Sequence, residues 1–447
     1  MRRLTRFALM MLAAAPALAA DGELDPAFGA NGQVVFGVGL GPAHARDAVP
    51  VENGMVVVGD YESGPGNFDF FAVRLDAGGG VAASSPGIPF DLVAGGDDLA
   101  VAVARAPGGK VVIAGTVEAA PGVSGLGVVR LDAATLALDG TFGTGGVKLL
   151  GLPNRTHYTP DVAVLADGSI LVGFTFGDPN LTNHDFGVFK LLPDGMRDSS
   201  FGSSGFASVA FDLGGGQADT FRALAVQPDG RIVLAGMAQW GPTDLDFAVA
   251  RLLADGSPDT TFGPFGTGKN FVAFDLDGNA TDFAAAVSIA LDGRIALAGY
   301  ASAAPVPLGA VAMLYPTGNL DVSFDGDGRR IVQWIGGAGV NELTGAAFES
   351  DGSLFLSGNA VAQWGSQGNL GVARVLPSGA YDCSFYGCFH MYDLDPGWET
   401  SHAAALDGGR PLLVGTREGD WAIVRLTNAL ILRDGFESAD LRAWATP

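Results

Sequence analysis

The sequence predicts an all-β fold: a seven-bladed β-propeller of four-stranded antiparallel blades, with an N-terminal strand closing the last blade. Three observations carry this expectation. A segment typified by QPDGRIVLAG (Gln227–Gly236) recurs seven times along the chain. Glycine accounts for 68 of 447 residues, while lysine and apolar residues at helical spacing are scarce, a mix that favours short strands and turns. The two ends of the repeat region carry complementary fragments of one repeat.

Taken in order, residues 1–20 have the form of a signal peptide. Arg2, Arg3 and Arg6 precede an apolar core running from Phe7 through Leu12, and Ala17-Leu18-Ala19 supplies the small residues needed for cleavage after Ala19 or Ala20. The core is too short to span a bilayer, which takes roughly 20 apolar residues. Later apolar runs are interrupted by Gly and Asp, so no transmembrane segment is expected. The mature chain is expected to be secreted or periplasmic, or attached at the cell surface. Residues 21–428 form the repeat region and 429–447 a tail.

The repeats are registered by a turn glycine at Gly54, Gly109, Gly168, Gly230, Gly293, Gly352 and Gly409, 55 to 63 residues apart. A strand of small apolar residues precedes the turn, for example Phe221 to Val226 or Ala284 to Ile289. Asp-Gly, which tolerates positive φ, then leads into a wholly apolar strand such as Ile232-Val233-Leu234-Ala235. A third strand ends in a basic residue and Leu, as in Phe247 to Leu252 and Trp421 to Leu426. An Asp-x-x-Phe-Gly turn and a short strand such as Phe271 to Phe274 complete the copy. Strands that are apolar throughout are buried on both faces, as packing between neighbouring blades requires. A β-helix would need shorter coils, and a helical solenoid would show helical periodicity.

The chain ends give an independent indication of a ring. LDPAFGANGQVVF (Leu24 to Phe36) is the turn and outer strand standing alone, and the last copy stops at Leu426 without one. Pairing the two closes the ring and hides sheet edges. A monomer is expected.

Together, these segments resemble the delta-60 repeat family of bacterial propellers, whose repeats carry a DG(K/R)IVVAG core and an LDxxFGxxG segment. The likeness covers nearly all of Leu24 to Leu426 and is strongest over Asp219 to Gly263. It implies a propeller of the kind found in exported bacterial proteins, and brings no catalytic residues with it. The tail sequence ILRDGFESADLRAW also resembles a terminal DGFESGD motif of exported bacterial proteins.

Removing the three leader arginines leaves 22 basic and 48 acidic residues, a net charge of −26. Such a field repels nucleic acid and favours a cationic ligand, with a protein or a glycan as other partners. Cys383 and Cys388 are the only cysteines, and in an oxidising compartment they are expected to form a local disulfide.

The basic residue and the Asp that recur once per copy (Arg251 and Asp259, for example) are expected to be structural, because packing groups recur with a repeat and catalytic groups break its symmetry. The positions about eleven residues before each turn glycine are different. Ala43, Asp98, His157, Asp219, Asp282, Asn341 and Trp398 occupy them, with Glu342 and Glu399 one residue further on. If the next strand is innermost, these side chains ring one mouth of the channel and gather negative potential there, unless they are occupied in accepting backbone N–H bonds. Calcium is the one cofactor for which ligands are offered: Asp275 and Asp277 in FDLDGNATD, and Asp325 and Asp327 in FDGDGRR, although neither has the full EF-hand spacing. No catalytic motif is found, which favours a non-catalytic binding or structural scaffold. An enzyme at the channel mouth (a lyase, hydrolase or quinoprotein-like dehydrogenase) would need a cluster of His, Arg, Tyr and carboxylates there, for which His157 and Tyr158 near Asp98 and Asp219 are the candidates. A surface adhesion or matrix component is the third reading.

Overall fold

The computed structural model describes residues 21–428, apart from 40, 89, 91, 94, 122, 153–154, 179–182, 213–217, 242–243, 277–280, 303–305, 335–338, 362–367 and 395–398. The expected leader and tail, and Asp277, lie outside the described residues.

The described chain forms seven four-stranded antiparallel sheets. Six are made of consecutive strands. The seventh joins Glu399–Asp407, Arg410–Arg417 and Asp420–Arg425 to Gln33–Phe36 from the start of the repeat region, with Gln33 opposite Val424 and Phe36 opposite Trp421. The first strands of successive blades touch one another all the way round, the seventh against the first, so they line the axis. No described helix is long and apolar enough to cross a membrane.

Seven apolar clusters occupy the seven spaces between adjacent blades, which is why the middle strands are apolar on both faces. In blade four, Ile232, Val233, Leu234 and Ala235 are all buried. The outer strand of that blade runs Lys269–Val272, two residues earlier than the pattern suggests. The Asp-Gly hairpins also differ in detail from the expectation. Only the glycine takes positive φ, 83° at Gly230, and the turn is closed by Gly230 N–H to Gln227 C=O at 2.9 Å. Asp229 instead accepts the N–H of Arg231 at 3.1 Å, the local bonding that makes Asp a turn residue.

The glycine that ends each VLAG-type strand has a steric cause. A Cβ on Gly236 would lie 2.0 Å from the carbonyl oxygen of Thr220, and one on Gly299 would lie 1.8 Å from that of Phe283. In both cases the offending carbonyl belongs to the innermost strand, just before a β-bulge. The glycine makes room for that bulge.

Successive blades are tied by the recurring basic residue. Arg251 donates from Nε to Asp259 at 2.9 Å, its guanidinium lies 4.5 Å from the ring centre of Phe262, and Nη1 donates to Pro316 C=O in the next blade. Asp259 also accepts from the N–H and hydroxyl of Thr261, at 3.1 and 2.6 Å. Equivalent pairs are Arg130–Asp139, Lys190–Asp198 and Arg374–Asp382. At the closure Arg425 meets Asp25 at 2.9 Å, stacks on Phe28 and donates to Ala77 C=O of blade one. Blade five has Met313 in this place, and there Arg294 approaches Asp321 at 3.8 Å.

Arg425 is 2% exposed, and without Asp25 only Asp407, at 3.1 Å, is left to balance its buried charge. Asp25→Ala is therefore expected to lower unfolding stability by about 2–3 kcal/mol, the loss of one buried hydrogen bond between charged groups. Chemical denaturation of the full chain measures this, and a loss below about 1 kcal/mol would mean the closing pair behaves like a surface ion pair.

Candidate functional site in the axial channel

Every innermost strand carries one bulge, and the residues in the bulges that reach the axis are Arg46, Val101, Pro160 (which shares its bulge with Thr159), Arg222, Ala285, Thr344 and His402. All seven line the axial space, because a bulge re-aims a side chain off the sheet face. This ring breaks the repeat symmetry: two arginines and a histidine stand among small or apolar residues. On one side of it opens a cavity of about 410 Å³, lined also by Phe283, Tyr300, Glu342, Asn359 and Thr400.

The two arginines are in different situations. Arg46 donates to Asp60 at 3.0 Å, and Asp60, fully buried, also contacts His44 Nδ1 at 2.6 Å. Arg222 has no carboxylate partner among the described residues. Its guanidinium lies 4.4 Å from the centre of the Phe283 ring, and Phe283 stacks on Tyr300 at 5.2 Å and 12°. Burial lowers the Arg222 pKa, but a guanidinium stays charged at any ordinary pH. Burial holds Tyr300 protonated above the usual phenol range, and the nearby Glu342 acts in the same direction. His402 is pushed down to about 3, by burial first and then by Arg46 and His44, so it is a neutral imidazole, its Nε2 near the hydroxyls of Thr400 (3.2 Å) and Thr416 (3.4 Å).

The carboxylates expected to ring the channel mouth are directed elsewhere. Asp98 accepts the N–H of Phe90 (2.8 Å), Asp219 that of Phe211 (2.6 Å) and Asp282 that of Phe274 (2.6 Å). Asn341 accepts from Trp334 (2.8 Å), Glu399 from Leu394 (2.7 Å), and His157 Nε2 from Leu152 (2.9 Å). All six side chains are buried, each tying down the backbone that arrives from the preceding outer strand. Strand alternation then directs the next residue to the axis, and of the expected set only Glu342 faces the cavity. Tyr158 packs edge-on against His184, apart from the arginines.

On the other side of the bulge ring stand Asp47 and Asp161. Each spans two blades: Asp47 accepts from Ala48 and from Val103 of blade two, both at 2.8 Å, and Asp161 accepts from Val162 and from Leu224 of blade four, both at 2.7 Å. Burial raises Asp47 to about 7 and Asp161 to about 6, against the opposing pull of those amides.

Of the calcium candidates, Asp325 pairs with Arg330 at 3.0 Å, and Asp327 caps the N–H of Arg329 at 2.9 Å and lies 3.6 Å from its guanidinium. These two are occupied by protein cations. Asp275 is not; it meets Asp244 and Asp246 on blade four. Cys383 and Cys388 are joined in a disulfide.

The fold and this site define the protein's class: a seven-bladed β-propeller with a polar cavity on its axis. The family model described as "Domain of unknown function (DUF5122) beta-propeller" matches residues 165–201 and 227–262, which fall in blades three and four. No curated protein matches the sequence. Among solved structures, the polysaccharide lyase Uly1 superposes with a TM-score of 0.49 at 11% identity, covering 86% of this chain and 90% of that one. A protein of unknown function from Dyadobacter fermentans gives 0.43 at 14% identity, covering 73% and 94%. BamB from Moraxella catarrhalis gives 0.37 at 10%, covering 88% and 98%. These similarities concern the fold alone.

Asp47 and Asp161 set a sign for the pH dependence of stability. Their folded pKa values lie above the ordinary 3.8, so between about 4 and 7 the folded state holds protons that the unfolded chain has released. Their stabilising contribution is complete below pH 4 and is lost as pH rises through 6 and 7. Thermal midpoints are expected to fall from pH 4.5 to pH 7.5, and Asp47→Asn is expected to flatten the slope. A midpoint that rises over that range would contradict the assignment.

Proposed function

We propose that this protein is an exported, non-catalytic binding propeller of the delta-60 repeat type, holding a small hydroxylated carboxylate such as a uronic acid in its axial cavity. The observation that carries this reading is Arg222, a guanidinium inside the channel with no carboxylate partner among the described residues. A planar fork of donors matches a ligand carboxylate in bidentate fashion. The Phe283–Tyr300 stack offers an apolar face, and Asn359, Thr344 and Thr400 offer hydroxyl and amide groups, the mixture typical of small-molecule pockets. A volume of about 410 Å³ suits one or two sugar rings rather than a polymer cross-section.

Two of the titratable groups in the cavity are poorly tuned for proton transfer, which favours binding over catalysis. A general base works best with a pKa near the operating pH, whereas His402 is held down at about 3 and Tyr300 is pushed up. Export is supported by the leader pattern of residues 1–20 and by a disulfide, which persists in oxidising compartments.

Calorimetric titration of the purified protein with D-glucuronate and D-glucose provides the test. Glucuronate is expected to bind in preference to glucose, and Arg222→Met to weaken it at least about thirtyfold, the counterpart of losing about 2 kcal/mol from a desolvated charge contact. Equal affinity for the two sugars, or undiminished binding by Arg222→Met, would overturn the reading.

A further inference from the structure

Blade four contains a second polar cluster, away from the channel. Its third strand begins Asp244-Leu245-Asp246, and Asp275 follows its outer strand. Each of the three carboxylates offers an oxygen, and these oxygens lie within 4.8 Å of one another. Two oxygens that share a calcium ion at 2.3–2.6 Å can be separated by about 5 Å at most, so the three fit around one ion.

A group of acids on a surface would mean little, but two of these are buried. Asp244 is 7% exposed and Asp246 is 4% exposed. Oδ1 of each is inaccessible to solvent and makes no hydrogen bond, and neither residue has an ion-pair partner among the described residues. Removing carboxylates from water without a counter-charge is costly, and buried charges are normally paired or coordinate a metal.

A neighbouring blade serves as an internal control. Blade three repeats the arrangement in part, with Asn183 in place of Asp244, Asp185 in place of Asp246, Asp212 in place of Asp275 and Asp219 in place of Asp282. There Arg155 and Lys269 lie close enough to act on Asp185. Around Asp246 the neighbouring charges are Asp244, Asp275 and Asp282, all of one sign. Among the described residues, no cation stands beside Asp246 as Arg155 and Lys269 do beside Asp185.

We infer that Asp244, Asp246 and Asp275 bind a calcium ion in blade four, joining its third strand to the segment that leads into blade five. An all-carboxylate set without His or Cys selects a hard cation, and an irregular oxygen cage suits calcium better than magnesium, which demands near-octahedral geometry. Residues from two separate parts of the chain supply the ligands, so the ion acts as a cross-link.

The test uses the full mature chain freed of metal by chelator. Thermal unfolding is followed with added Ca²⁺ or Mg²⁺, and Tb³⁺ luminescence is excited through tryptophan, Trp240 lying in the same hairpin as Asp244. Ca²⁺ is expected to raise the melting temperature of the wild type, and Tb³⁺ to bind and be displaced by Ca²⁺. Asp246→Asn removes a repelling charge, so without metal it is expected to melt no lower than the wild type, and to lose the Ca²⁺ response. A wild type indifferent to millimolar Ca²⁺, an equal response to Mg²⁺, or a Ca²⁺ response that survives in Asp246→Asn would overturn the assignment.

Discussion

The ring is held at its rim by one contact that recurs in five of the seven blades: a cation at the end of the third strand, seated on the Phe of the following turn and bonded to the Asp three residues before that Phe. The contact does three things at once. It fixes the conformation of the turn, because the same Asp accepts the backbone N–H and the hydroxyl of the residue two further on. It orients the guanidinium edge towards the next blade, where a carbonyl accepts from it. It also lets an Arg be buried at 1–5% exposure in the cases of Arg251, Arg374 and Arg425, which is tolerable only when the charge is paired and most of its donors are used. Arg fits this place better than Lys for the same reason, since the planar group can stack and fork simultaneously. The turns add a backbone bond of their own: Gly263 N–H reaches Thr317 C=O and Gly29 N–H reaches Gly78 C=O, at 2.8 and 2.7 Å.

Closure follows from the same contact. The turn that begins with Asp25 is made of residues some 400 positions from the arginine it serves. Among the described residues the turn that pairs with Arg425 and the fourth strand of the seventh blade both come from the N-terminal segment, so this blade is completed when that segment is in place. The apolar space between blades seven and one then contains residues from both ends of the chain, Phe28 and Val57 beside Trp421 and Ile423. Closing such a long loop costs entropy that grows slowly with its length, and the buried aromatic surface together with the ion pair offsets it.

Fold and closure were legible because they depend on local patterns repeated many times: an Asp-Gly turn, an apolar strand, an Asp-x-x-Phe-Gly turn. The channel was legible only in outline. A bulge shifts facing by one residue and leaves no mark of its own in the first strand, so Asp219 read as an axial group although it is Arg222, three positions on, that reaches the axis. One mark was there to use, the glycine across from six of the seven bulges (blade three has Phe174), as Gly236 is from the bulge at Arg222, but its meaning depends on knowing which carbonyl approaches it. In the seventh blade, counting back from the turn glycine lands on Trp398, whereas Glu399 takes the backbone-bonding role of Asp98. The acid cluster of blade four was half visible: Asp275 stood out for its neighbours Asp277 and Gly278, but Asp244 and Asp246 come from another strand, and no spacing rule connects them.

The bulge separates two demands that a repeat protein usually has to satisfy with the same residues. Positions facing neighbouring blades are constrained in size, and a change at one of them disturbs an interface. The bulged residue faces open space and is held there by backbone geometry, so its identity hardly matters to its own blade, except for Arg46, which bonds to the buried Asp60 of blade one. Each turn of the ring thus offers one free letter, and the seven letters together spell whatever the axis recognises. Rewriting Val101 or Ala285 would change that word while leaving the grammar of the fold untouched, which makes the axis a natural place for related chains to diverge in specificity on one common frame.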